Sequence, residues 1–328
     1  MHCLFETIRE DVPGLRWQRM FYQRWPSYCR WYLRDGHHSR PSYLACRRAL
    51  KTHMPELMPI YEQLTALAGG GDLEARFLSL WCPPSYITGC TQAIWHDPQG
   101  IEMPMLIRNY DYVPSLLEGT WFATRWCGQS VLVMSDCLWG ALDGINESGL
   151  AASLAFGGSR EVGEGFGIPL VLRYVLEVAT NTATAIEILK RIPVHMTYNI
   201  SLLDQSGEWA TVFLKPNASA EVLRQQVVAN HQHAILWPAH ARATKTIERA
   251  TTLESVVKKS YQSQSVEKAL LRPPLFQTAY HKGYGTLYTA RYNPYALTAE
   301  LLWPNQRWLQ HCQDVKEASF WVDFTNSY

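Results

Sequence analysis

The apolar residues of this chain change their spacing in blocks, and no other feature of the sequence constrains the fold as strongly. Residues 91–95, 104–110, 120–126, 130–135 and 150–156 read as strands. Asp97-Pro98-Gln99-Gly100 and Asn146-Glu147-Ser148-Gly149 read as the turns between them. The period then becomes helical over 170–179 and 183–192. A hairpin follows at 198–203 and 209–214, turned by Gln205-Ser206-Gly207-Glu208, with a further strand near 225–229. Residues 242–258 and 266–271 are again helical, and 276–281, 286–292 and 297–303 return to strands. A half-buried strand and an amphipathic helix each need another layer to cover one face. Blocks in this order therefore predict an α+β fold of two antiparallel sheets stacked between helical layers.

Residues 1–81 read as helical throughout. One helix starts at Pro41 and carries Tyr43, Leu44, Cys46 and Leu50 at helical spacing. Another runs over 55–67 and stops at Gly69-Gly70-Gly71; Asp72 then caps a third over 73–81, ended by Pro83 and Pro84. Because the texture changes at Cys90, the expected division is a helical arm over 1–89 and a catalytic domain over 90–328.

The 328 residues are 47% apolar and include 13 Trp, enough for a large core. A net charge of +1 implies no polyanion partner. Arg16, Arg19, Arg24, Arg30, Arg34, Arg40, Arg47 and Arg48 interleave with Trp17, Trp25 and Trp31. This stretch is expected to dock on the rest of the protein rather than on nucleic acid. Eight cysteines without a CxxC pair argue against a zinc ribbon. No apolar run has the length of a signal or a membrane span, so a cytoplasmic protein with reduced thiols is expected.

Gly89-Cys90-Thr91 opens a strand directly after a loop. Gly89 tolerates unusual backbone angles, so the peptide before Cys90 can be held strained. The thiol can attack the preceding carbonyl, and water resolves the resulting thioester into a chain that begins with Cys90. Its α-amine, with a reference pKa of ~7.7–8.0, can then serve as general base beside its own thiol. The returning strand carries Arg108-Asn109-Tyr110-Asp111-Tyr112. The hairpin is expected to bring both Arg108 and Asp111 close to Cys90, the guanidinium favouring thiolate and the carboxylate holding the amine. Asp143 to Leu150 reads as a hairpin turn, and Asn230, just after a strand, as a side-chain amide able to donate to an oxyanion. His96 shares a strand face with Cys90 and reads as structural rather than as the partner of a Cys–His dyad. His231 and His233 lack a nearby third ligand, so neither a metal nor a cofactor is expected.

Four segments, in this order, resemble the acyl-coenzyme A:6-aminopenicillanic acid acyltransferase (isopenicillin N acyltransferase) family. They are Gly89-Cys90-Thr91, Arg108-Asn109-x-Asp111-Tyr112, Gly144-Ile145-Asn146-Glu147-x-Gly149-Leu150 and Val228-Ala229-Asn230-His231. The family is related to choloylglycine hydrolase and penicillin V acylase. The resemblance implies an αββα N-terminal-nucleophile (Ntn) sandwich, with autocleavage between Gly89 and Cys90. It further implies Cys90 as nucleophile, Arg108 and Asp111 as its supports, and Asn230 as oxyanion donor. Choloylglycine hydrolases carry a second Asn where this chain has about Ala155, so a backbone N–H serves there or the substrate class differs. Their late arginine corresponds loosely to Arg249. The implied substrate is a small N-acyl amide or acyl thioester, turned over by hydrolysis or acyl transfer, and the implied partner is the cleaved N-terminal fragment. A non-catalytic, unprocessed binding protein of the same fold is the alternative.

Overall fold

A computed structural model describes residues 2–324. Among these described residues the first sheet has nine strands. They are β1 (His2–Arg9), β4 (Thr120–Thr124), β5 (Val131–Asp136), β6 (Gly140–Asn146), β7 (Ala151–Phe156), β8 (Tyr198–Leu203), β9 (Trp209–Leu214), β10 (Glu221–Leu223) and β15 (Ser319–Asp323). Their spatial order is β10-β9-β8-β7-β6-β5-β4-β1-β15. The second sheet holds β2 (Gly89–Trp95), β3 (Met105–Tyr112), β11 (Val227–Val228), β12 (Gly285–Asn293), β13 (Thr298–Trp303) and β14 (Gln306–His311), in the order β11-β2-β3-β12-β13-β14. All pairs are antiparallel except β1 with β4.

The sheets face each other, with β2 and β3 over β7 and β8. Gln92 crosses the gap, donating to Ser201 and accepting from Ser153. Helices α5 (Ile168–Val178) and α6 (Thr182–Arg191) cover the outer face of the first sheet. Next to the second sheet, α7 (Pro238–Ala243), α8 (Thr246–Lys259) and α9 (Ser263–Leu270) follow one another, with α8 and α9 packed on β2 and β3. A separate apolar cluster fills the space beneath α8 and α9, including Trp95, Ile107, Leu253 and Leu270. The α+β sandwich expected from the alternating blocks is therefore present.

The arm is not helical throughout. Residues His2–Arg9 form β1, which alternates inward Phe5 and Thr7 with outward neighbours and lies between β4 and β15. Its period-2 signal is faint because apolar Leu4 and Ile8 stand on the outward positions and a polar Thr7 on an inward one. Phe5 packs edge-on to Trp303, 4.9 Å between ring centres, so the first residues are part of the sandwich core. Helices α1 (Leu15–Tyr32), α2 (Tyr43–His53), α3 (Met58–Leu67) and α4 (Asp72–Leu78) follow. Ser42 caps α2 by accepting from Ala45 N–H, and Asp72 is the first residue of α4 rather than its cap. Helix α1 buries Trp17, Met20 and Phe21 and leaves Arg16, Arg19 and Arg30 exposed, the amphipathic docking expected of this stretch.

Two further expectations need correction. Residues 276–281 form no strand; Gln277 is tied into β12 by bonds to Thr286, and a single 3₁₀ turn follows at Tyr280–Lys282. The stretch 242–258 is split, because Lys245 takes a left-handed conformation between α7 and α8. Strands β14 and β15 went unread because their residues are mostly polar or exposed. Among the described residues, no helix is long and apolar enough to cross a membrane.

Candidate active site

Strand alternation decides what surrounds Cys90. On the β2–β3 hairpin, Cys90 pairs with Tyr110, Gln92 with Arg108, and Gly89 with Asp111. Paired residues project on the same side of a sheet, and successive residues on opposite sides. Cys90, Tyr110 and Arg108 therefore face the gap between the sheets. Thr91, Asn109 and Asp111 face α8 and α9.

In the gap, Arg108 Nη2 donates to Cys90 Sγ at 2.9 Å. Its Nη1 donates to Asp143 at 2.6 Å and to the Leu142 carbonyl at 2.8 Å. Asp143 accepts from the Tyr288 hydroxyl at 2.7 Å and also from Tyr292. Cys90, Arg108 and Asp143 are fully buried. Burial pushes the Cys90 thiol above its ordinary value; Arg108 pulls it down, and Asp111 adds to the rise. Burial thus favours a neutral Cys90 thiol, with a cation held against its sulfur.

On the helix side, Arg249 of α8 is the hub. It donates from Nη1 to Asp111 at 2.7 Å, from Nη2 to Asn230 Oδ1 at 2.7 Å, from Nε to the Thr244 carbonyl at 2.6 Å, and also to the Thr91 hydroxyl. Thr286 donates to the other oxygen of Asp111 at 2.6 Å. Burial raises the Asp111 pKa even so, with Arg249 opposing it. Asn230 joins the two sides. Its Oδ1 accepts from the Cys90 backbone N–H at 3.0 Å. Its amide group donates to the carbonyls of Phe156, at 3.2 Å, and Thr88, at 3.4 Å.

The sequence expectations fare unevenly. Arg108 lies against the thiol as expected. Asp111 lies on the opposite strand face, because residues three apart cannot share a face, and it touches the site through Arg249. Asn230 meets Cys90 through its oxygen, and its amide, expected to serve an oxyanion, is engaged by backbone carbonyls. Arg249 sits at the centre of the cluster. Gly89 has no left-handed backbone angle. Its lack of a side chain is a matter of space: a Cβ there would lie 1.7 Å from the Tyr284 hydroxyl and 3.1 Å from Asp111 Cβ. His96 packs on Trp209, with 5.4 Å between ring centres. His231 and His233 have separate partners, Thr246 and Glu221. Among the described residues no three His, Cys, Asp or Glu gather in a metal-binding group.

Asp143, Tyr284, Thr286, Tyr288 and Tyr292 join the site without being among the residues that the sequence singles out. Asp143 stood inside a segment read as a hairpin turn. Strand β12 itself is expected over 286–292, and Tyr288-x-x-x-Tyr292, four apart on it and hence on one face, is the signal that points to this pair.

A second buried cluster lies beyond Tyr110, whose hydroxyl is 3.3 Å from that of Tyr86. Tyr86 donates to Asp136, and the Tyr28 hydroxyl of α1 lies within hydrogen-bond distance of both Glu118 and Asp136. A cavity of about 220 Å³ opens here, lined by Tyr28, Trp31, Tyr86, Tyr112, Glu118 and Asp136. Burial and the neighbouring Glu118 push the Asp136 pKa up to about 6, against the tyrosine hydrogen bonds that lower it. The native state therefore favours protonated Asp136. Its contribution to stability is full below the ordinary value of 3.8 and is lost as pH rises through about 6. Asp136→Asn, neutral at every pH, removes this dependence. The variant's melting temperature relative to wild type is expected to be higher at pH 7 than at pH 4, and equal differences at both would contradict the assignment.

The family model for acyl-coenzyme A:6-aminopenicillanic acid acyl-transferase matches residues 98–308, well over half of the chain. The chain belongs to this family. The matched segment contains Arg108, Asp111, Asn230 and Arg249, and begins after Cys90. Among solved structures, this acyltransferase-family chain resembles a mutant of conjugated bile acid hydrolase from Clostridium perfringens. The two share 13% identity over 72% of this chain and 98% of that one, with a TM-score of 0.50. The Caenorhabditis elegans ortholog of N-acylethanolamine-hydrolyzing acid amidase is 15% identical over 71% of this chain and 100% of that one, with a TM-score of 0.47. Penicillin V acylase from Agrobacterium tumefaciens is 16% identical over 72% and 87%, with a TM-score of 0.43. At these identities the likeness to the bile acid hydrolase concerns the fold, which is the αββα Ntn-hydrolase sandwich. Among curated protein sequences none matches the chain.

Proposed function

We propose that this protein is a self-processing cysteine Ntn enzyme that cleaves amide bonds of small N-acyl compounds through an acyl-enzyme on Cys90. The observation that carries the reading is the double hold on Cys90. Arg108 donates to its sulfur, and Asn230 Oδ1 accepts from the same residue's backbone nitrogen, the atom that cleavage turns into an α-amine. A structural cysteine needs neither.

In self-cleavage, Cys90 Sγ bonds to the Gly89 carbonyl carbon and the carbonyl electron pair moves to oxygen. The carbon–nitrogen bond then breaks, and the thiol proton ends on the nitrogen. Water hydrolyses the thioester to a Gly89 carboxylate and a free Cys90 thiol. In turnover, the α-amine takes the thiol proton, sulfur attacks the acyl carbon, and the proton passes to the departing amine. Water or a second amine then takes the acyl group. Arg108 favours the thiolate, while Arg249 and Asp111 fix Asn230 and through it the amine.

Residues 1–89 stay with the catalytic chain over 90–328 after cleavage, because β1 is hydrogen-bonded between β4 and β15. All eight cysteines are unpaired, which suits a reducing compartment such as the cytoplasm. A panel of N-acyl amides of increasing acyl length, with hydroxylamine as a competing acceptor, tests the activity. Amine release with formation of an acyl hydroxamate is expected. Processed protein that releases no amine from any member would sink the reading.

A further inference from the structure

The Tyr284 hydroxyl is buried and, among the described residues, has no hydrogen-bond partner. A buried donor left unpaired is costly, and it is conspicuous beside so many engaged groups. Its position is specific. The oxygen occupies the place of the missing Gly89 side chain, 1.7 Å from where a Cβ would stand. Asp111, the carboxylate beside Gly89 on this face, has its oxygens taken by Arg249 and Thr286, so it does not claim the phenol. The Asn230 amide group donates to two backbone carbonyls, so in the uncut chain it is not free for a new oxyanion.

Cys90 and the side-chain position of Gly89 lie on opposite faces of β2. When Sγ attacks the Gly89 carbonyl from the gap between the sheets, the carbon becomes tetrahedral. Its oxygen bends away from the sulfur, toward the helix side, where the Tyr284 hydroxyl lies. Burial, with Asp111 adding to it, also holds the phenol far above its ordinary pKa, so it keeps its proton to donate.

We propose that Tyr284 is an oxyanion donor of the self-cleavage step, its O–H taking up the negative charge that develops on the Gly89 carbonyl oxygen. The inference rests on the self-processing reading given above. Gly89 is then required because a side chain there would displace the donor.

The test is the time course of cleavage after cell-free synthesis of wild type, Cys90→Ala and Tyr284→Phe, followed by intact mass and paired with thermal melting. Tyr284→Phe keeps the ring and removes only the hydroxyl. Fragments 1–89 and 90–328 are expected to appear about 10²–10³-fold more slowly than in wild type. The melting temperature of Tyr284→Phe is expected to equal or exceed that of uncleaved Cys90→Ala, since an unpaired buried hydroxyl is lost. Cleavage of Tyr284→Phe within about twofold of the wild-type rate overturns the Tyr284 role and leaves self-processing standing. Slow cleavage with a collapsed melting temperature also overturns it, since the hydroxyl is then structural. A wild type that never splits overturns both.

Discussion

Cys90→Ala is expected to lose amide turnover, with kcat falling on the order of 10⁶-fold, the scale seen when a covalent enzyme loses its nucleophile. The size of the loss follows from the site's economy of parts. In the proposed mechanism Cys90 supplies the attacking sulfur and, after cleavage, the base that activates it. The substitution also leaves the peptide after Gly89 uncut, so the variant should persist as one chain. Its fold should survive: removing one sulfur from a buried strand position leaves the rest of the Arg108 network in place, since Asp143 and the Leu142 carbonyl still hold the guanidinium. Turnover is measured against the best N-acyl amide from the panel, with circular dichroism as the check on folding. A Cys90→Ala protein that turns over substrate at more than a hundredth of the wild-type rate would contradict the assignment.

Arg249→Leu is expected to destabilise the protein by about 3–5 kcal/mol, because it leaves Asp111 as a buried carboxylate without its counter-charge. Both groups are wholly buried, and the pair is 2.7 Å apart. The loss extends beyond the pair, since Asn230 and Thr91 lose a donor at the same time. Denaturant unfolding measures the cost. The double variant Arg249→Leu/Asp111→Asn should recover much of it, because the stranded charge is gone. A single-variant loss below about 1 kcal/mol, in the range of an exposed ion pair, would mean that water reaches the cluster and that Arg249 does not hold it together.

The α+β sandwich was legible because two signals were strong: block changes of hydrophobic period, and turn residues such as Asp97-Pro98-Gln99-Gly100 at the expected intervals. The hairpin at β8 and β9 follows the reading at both ends. What escaped was strand structure with weak alternation. β1 has only Phe5 and Thr7 fully buried, and β14 keeps most of its side chains outward. At the site, the meeting of Cys90 and Arg108 on one face follows from a hairpin that returns beside Cys90. Asp143 could not be placed in this way, because its meeting with Arg108 depends on one sheet stacking on the other, which local patterning does not encode. The same holds for Tyr284, brought to Gly89 by a strand almost two hundred residues later in the chain. Asp111 shows the opposite failure: closeness in sequence suggested closeness to the thiol, and strand alternation turned it to the other face.

The intact mass of the purified wild-type protein tests the central claim most directly. Two species are predicted, corresponding to residues 1–89 and 90–328, co-eluting under native conditions, with the larger beginning at Cys90. A single mass of the full chain, unchanged after prolonged incubation at neutral pH, would contradict the account and leave Cys90 a buried thiol in a protein that binds rather than cuts.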